Sequence, residues 1–136
     1  MSPRRPRSIE VAGVAHGAAP IPMGARVGNT LYSSGIPGID PSTGRLAVDA
    51  ASQARFAFDH MRSLLAGGGA RPEDVVRMTV YLKDNAAREH VNAEWLKCFP
   101  EPHDRPARHT LMYDLQGGVL LQLEVIAIVD DLRENA

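Results

Sequence analysis

Cysteine is all but absent from this chain of 136 residues, and long apolar runs and a surplus of either charge are missing. A single cysteine, Cys98, excludes an internal disulfide and fits a reducing compartment. The longest apolar stretch, residues 119–129, is interrupted by Gln122 and Glu124 and is about half as long as a membrane helix needs, so it reads as a strand. A net charge of -1 gives no global attraction to nucleic acid. No phosphate-binding loop is present: Gly67-Gly68-Gly69 follows a helical segment and has no adjacent lysine. Ser33-Ser34-Gly35 lacks the elbow pattern and the paired base of a serine hydrolase. Arg4, Arg5 and Arg7 lie among prolines without the apolar core of a signal peptide. Residues 1–7 therefore read as a solvated tail on one domain spanning residues 1–136, with a cytoplasmic location expected.

What is there is ordinary in bulk. Hydrophobic residues make up 44% and charged residues 23%, a globular composition with enough apolar area for one core. Residues 9–14 and 31–35 read as early strands, and Asp40-Pro41-Ser42-Thr43-Gly44 has the chemistry of a tight turn. From Ser52 the period becomes helical, with Ala54, Phe58, Met61 and Leu65 on one stripe, Ala57 and Leu64 widening it, and Asp49 or Ser52 as cap. The glycine run ends that helix. Residues 75–82 alternate, which puts Val76, Met78, Val80 and Leu82 on one face and Arg77, Thr79 and Tyr81 on the other. A second helix follows Lys83-Asp84-Asn85, with Ala87, Val91, Trp95 and Cys98 inward and Pro100 as its stop. Two final strands, near 107–113 and 119–129, are expected to form a hairpin around Gly117-Gly118.

Strands followed by β-α-β-α-β-β fit an α+β fold with two helices on one face of a single mixed sheet. The other face would carry Arg77, Thr79, Tyr81, Gln122, Glu124, Ile126 and Ile128, too apolar for a solvated surface and too polar for a core. Self-association through it is the economical solution. Two ionisable groups stand out on these strands, Arg108 and Glu124, because charge on sheet-like segments is costly unless paired or bound by a ligand. Either they form a structural ion pair within one subunit or they mark a site. Arg108, Thr110 and Met112 share a strand face, so a guanidinium fork and a hydroxyl point into one volume suited to a planar carboxylate.

Seven segments in order resemble the reactive-intermediate deaminase (RidA) family. They are Leu31-Tyr32-Ser33-Ser34-Gly35-Ile36-Pro37, the Asp40-Pro41 turn with Thr43-Gly44, Gln53-Ala54, the run from Asp74 to Asp84, Val91-Asn92, Pro106-Ala107-Arg108 and Leu123-Glu124-Val125-Ile126-Ala127. The resemblance covers about residues 20–130. It implies a chorismate-mutase-like fold, a homotrimer with sites between subunits, and hydrolytic deamination of small 2-imino or enamino carboxylic acids to 2-oxo acids and ammonia. It also implies that Arg108 clamps the substrate carboxylate and Glu124 directs water. Gly35, Ile36, Thr110, Asn92 and Tyr81 would surround the substrate, and Ile21 stands where the family carries a tyrosine near the ligand. Thr110 replaces a frequent cysteine, and Ile36 a usual glutamine, changes that favour a bulkier or more apolar substrate.

Hydrolysis of an imine needs placement, a base for water and a proton for the departing ammonia, so no cofactor or metal is expected. His103, Asp104 and His109 lack the spacing of a zinc site. The alternatives are a catabolic deaminase of an aminomuconate-type substrate and a non-catalytic trimeric ligand-binding or stress-protective protein. Neither nucleic acid nor membrane is an expected partner.

Overall fold

Asp49 begins the first helix: its carboxylate accepts a hydrogen bond from the Ser52 amide at 2.9 Å, and α1 then runs Ala50–Gly67. The structure is a computed structural model, and it describes residues 6–130; the tail arginines Arg4 and Arg5 lie outside the described residues. The expected stripe of α1 is the buried one, with Ala54, Ala57, Phe58, Met61, Leu64 and Leu65 fully inaccessible. Gly69, at φ +74°, turns the chain out of the helix in the left-handed region that glycine enters freely. Helix α2, Arg88–Cys98, follows a short 3-10 turn at Asn85–Ala87 whose Ala86 amide donates to Asp84 at 2.8 Å. Val91 is buried, while Trp95 and Cys98 pack against the core from its rim. Burial raises the Cys98 thiol pKa, with smaller opposing and reinforcing effects from nearby charges. Glu94 is buried on the same helix and forms an ion pair with Lys97 at 3.0 Å.

The described residues form nine strands: β1 Ser8–Ile9, β2 Gly24–Val27, β3 Thr30–Ser33, β4 Ile36–Pro37, β5 Ile39–Asp40, β6 Arg45–Leu46, β7 Val75–Leu82, β8 Ala107–Met112 and β9 Leu121–Ile128. The main sheet has the order β1-β2-β3-β9-β7-β8, with β4 continuing the pairing of β3 along β9. Among the described residues of this sheet, only the β7–β8 pair is parallel. Strands β5 and β6 form a separate small hairpin, closed as expected by Asp40, whose carboxylate accepts from the Ser42 amide at 2.9 Å. The architecture is thus α+β, with two helices against one face of a mixed sheet.

Three expectations need correction. Strands β8 and β9 do not form a hairpin: β7 lies between them, pairing parallel with β8 and antiparallel with β9. Gly117 and Gly118 do take positive φ, but they turn a longer crossover. Second, the alternation along β7 breaks at a register irregularity between Val75 and Arg77, so Val75 is buried and Val76 is 44% exposed. Third, residues 9–14 are mostly a loop held by a Val11–Val14 bridge, and the partner of β1 is β2, a strand with no signal in the sequence pattern.

One buried amide ties the layers together. Gln53 on α1 is fully inaccessible; its Nε2 donates to the carbonyls of Ala47 at 2.8 Å and Gly118 at 3.0 Å, and its Oε1 accepts from the Leu120 amide at 2.9 Å. Its amide is thereby bonded on both sides, and the loop before β9 is fixed to the helix layer.

Candidate functional site

Pairing fixes which side chains share a face. Along β7 and β9, Arg77 opposes Ile126, Thr79 opposes Glu124 and Tyr81 opposes Gln122, so all six project from the sheet face that carries no helix. The alternate residues of β9, Leu121, Leu123, Val125 and Ala127, are at most 2% exposed beneath the helices. On the open face the Tyr81 hydroxyl donates to Glu124 Oε1 at 2.9 Å. That bond, then partial burial and the carboxylate charge, raises the Tyr81 pKa above its usual 10.0. Glu124 borders two adjoining hollows, one of about 340 Å³ lined with Tyr32, Ser33, Arg77, Thr79 and His109, and one of about 280 Å³ reaching Tyr113 and Gln122.

Ser33 shapes the first hollow. Between β3 and β4 the pairing to β9 skips a step, from Tyr32↔Ile126 to Ile36↔Leu123, and the Ser33 hydroxyl accepts the Val125 amide at 2.8 Å in place of a backbone carbonyl. Gly35 then lies so near the sheet that a Cβ there would sit 2.2 Å from Gln122 Nε2. Its carbonyl bonds His16 Nε2 at 2.8 Å, a contact with no signal in the sequence pattern. Ile36 is fully buried opposite Leu123, so its side chain belongs to the core and only its backbone could meet a ligand. The idea that Ile36 reshapes a pocket is corrected accordingly.

Arg108 faces the other way. It pairs with Met78 in the β7–β8 ladder, and Met78, Val80 and Leu82 all point under the helices. At the sheet edge its guanidinium lies over the Trp95 ring, with Cζ 5.2 Å from the centroid, and Trp95 in turn meets Phe99 edge-on at 4.8 Å. Nε donates to Thr110 Oγ1 at 2.9 Å, so the expected arginine–hydroxyl pairing on one strand face is present. Partial burial, and then the positive charge of Arg88, lower the Arg108 pKa. Among the described residues no carboxylate forms an ion pair with Arg108. A structural ion pair with Glu124 inside one chain is therefore overturned: the two project from opposite faces of the sheet.

The remaining candidates divide between these places. Tyr81 and Gly35 belong to the Glu124 side, and Thr110 to the Arg108 side. Asn92 is exposed on α2 and lines a hollow with Arg88. Ile21 is 49% exposed and joins neither cluster through any recorded bond of its side chain. His109 is near Arg77 on the open face at 3.4 Å, whereas His103 and Asp104 are exposed in the loop before β8. Among the described residues no three metal-ligating side chains cluster, and no helix is long and apolar enough to cross a membrane. Trp95 packs against the core from its rim as its helical spacing suggests, and its half-buried ring also supports Arg108, a contact with no local signal because the arginine lies on a separate strand.

Comparison with known proteins agrees with this architecture. The family model described as endoribonuclease L-PSP matches residues 17–129. The chain is 32% identical over 111 residues to a 2-iminobutanoate/2-iminopropanoate deaminase of Escherichia coli K12, covering 80% of this chain and 87% of that one. A RutC family protein of Pyrococcus abyssi is 34% identical over 116 residues, covering 80% and 90% respectively. Among solved structures, RidA from an Antarctic Psychrobacter superposes with a TM-score of 0.82 at 26% identity, covering 91% of this chain and 100% of that one. The chain belongs to the endoribonuclease L-PSP (RidA) family.

Proposed function

We propose that the protein hydrolyses small 2-imino or enamino carboxylic acids to 2-oxo acids and ammonia, at sites shared between neighbouring copies of the chain. The observation that carries this reading is Arg108. A half-buried guanidinium, held through Nε by Thr110 and backed by Trp95, has no carboxylate partner among the described residues and keeps its two terminal nitrogens for a planar anion. Such a site fits the carboxylate of an imino acid, and the relative from Escherichia coli bears the name of an imine deaminase.

In this reading the substrate carboxylate bonds the Arg108 fork, which fixes the imine carbon. Glu124, oriented through Oε1 by Tyr81, accepts a proton from a water molecule as the water oxygen bonds to that carbon. The imine nitrogen takes up a proton, giving a tetrahedral carbinolamine. The C–N bond then breaks, the carbonyl forms as the hydroxyl loses its proton, and ammonia leaves. Water is the only co-reactant. Since Arg108 and Glu124 lie on opposite faces of one sheet, the edge strand β8 of one copy would meet the open face of the next. A cyclic trimer satisfies this, because a head-to-tail contact closes into a ring.

The test uses imines generated in situ and measures ammonia release. Arg108→Ala and Glu124→Gln are each expected to lower kcat/KM by about a hundredfold or more, the effect of removing a charged partner in a desolvated site. Unfolding and refolding the two inactive variants together should restore up to about a quarter of wild-type activity, because statistical mixing pairs an intact Arg108 with an intact Glu124 at that fraction of shared sites. No restoration would overturn the shared site. Wild-type release no faster than in buffer, with ligand binding that still depends on Arg108, would favour a binding protein instead.

A further inference from the structure

Helix α2 carries a stripe whose polar members, Arg88 and Asn92, the reaction described above leaves unused. Arg88, Asn92 and Trp95 recur at spacings of four and three, which places them on one side of the helix. Trp95, at the far end of the stripe, is the ring on which Arg108 rests. Arg88, about 10 Å away along the axis, borders a hollow of roughly 390 Å³ with Asn85, Glu89 and Asn92.

Arg88 is half-buried and, among the described residues, its side chain bonds the amide oxygen of Asn85, at 2.8 Å through Nε. Among the described residues it has no ion pair, as Arg108 has none; Glu89, the acid nearest in sequence, is exposed and meets the His90 imidazole at 3.5 Å. The positive charge of Arg88 nevertheless reaches Arg108 and disfavours its protonated form, behind the larger effect of burial. Two guanidinium groups are thus within electrostatic range of one another, and neither has an ion pair among the described residues. Like charges so placed repel, and a bound anion would relieve the repulsion. One carboxylate occupies one fork, so the second arginine calls for a second anionic group on the same ligand.

We infer that Arg88 binds a second carboxylate, and that the preferred substrates are imines of dicarboxylic acids whose acid groups span from the Arg108 fork to the Arg88 hollow, with Asn92 bonding the chain between them. The imine chemistry rests on the deaminase reading above; the dicarboxylate specificity rests on the two arginines.

Two measurements keep those apart. Turnover is compared for imines made by an amino-acid oxidase from a dicarboxylic amino acid, glutamate, and a monocarboxylic one, 2-aminobutanoate. Binding of the stable products 2-oxoglutarate and 2-oxobutanoate is followed by calorimetry. Wild type is expected to favour the dicarboxylate by tenfold or more in both. Arg88→Ala should collapse that ratio towards one, chiefly through KM, and Arg88→Lys should retain part of it. A wild-type ratio near one, or a ratio unchanged by Arg88→Ala in a variant with wild-type melting behaviour, would overturn the inference. Dicarboxylate binding that depends on Arg88 without turnover of either imine would uphold the specificity and sink the deaminase reading.

Discussion

The two faces of the central sheet are made from the same strands and reach opposite ends. On the helix side, Met78, Val80, Leu82, Leu121 and Leu123 are completely inaccessible. On the open side, Thr79, Tyr81, Gln122, Glu124 and Ile126 alternate with them, and the face mixes two hydroxyls, an amide, a carboxylate and an isoleucine. The covered face is satisfied within the chain. The open face is paired in its backbone but incomplete in its side chains, and Ile128 on it is 45% exposed. Apolar burial is concentrated on one side and polar side chains on the other, except at the edge strand. There β8 turns Arg108 towards the helix layer and leaves it accessible because only the rim of α2 covers it.

The largest expected effect tests the covered side. Leu123→Asp would place an uncompensated carboxylate between β9 and the helices and should cost about 3–5 kcal/mol of folding stability, on the scale of a broken buried ion pair. Thermal or urea unfolding reads this directly. A loss as small as that of a surface substitution would mean that the two faces are not energetically distinct.

A smaller effect is expected from the open side. Ile126→Ser should cost less than about 1 kcal/mol within the chain, since the side chain is only half-buried there. If that face packs against a neighbouring copy, the same change should loosen the assembly. Light scattering across a dilution series should then show smaller species at concentrations where wild type remains associated, and unfolding should become more concentration-dependent. Wild-type assembly that is monomeric at every concentration would remove the open face from consideration as an interface.

The sequence disclosed these two faces unevenly. The α1 stripe was legible because six apolar residues recur at helical spacing and are all buried. The membership of the open face was legible too, since strict alternation on β9 separates Gln122, Glu124, Ile126 and Ile128 from their neighbours. Parity along one strand does not, however, say which face of the sheet it denotes; that requires the register to the next strand. Arg108 and Glu124 could be assigned to a face only once Met78 was known to oppose Arg108 and Thr79 to oppose Glu124. The glycine pair at 117–118 pointed to a hairpin, yet the parallel alignment of β8 with β7 is a long-range choice with no local signature. Likewise β2, Gly-Ala-Arg-Val, shows no usable alternation, and its identity comes from its partners β1 and β3.

The smallest effect sharpens the comparison at one bond on the open face. The raised Tyr81 pKa means that the neutral hydroxyl, donating to Glu124, is favoured in the folded chain. Its contribution to stability is therefore fully present below the unfolded value near 10 and is lost as pH rises through the higher folded value. Tyr81→Phe removes both the bond and the alkaline loss. The variant should be less stable than wild type by about 1 kcal/mol or less at pH 7 to 9, and the gap should close above about pH 10. Because the residue is partly exposed, solvent screening keeps the difference small. A gap that instead stays constant to pH 11 would mean that the hydroxyl titrates as freely when folded as when unfolded, and that Glu124 is held on the open face by something other than Tyr81.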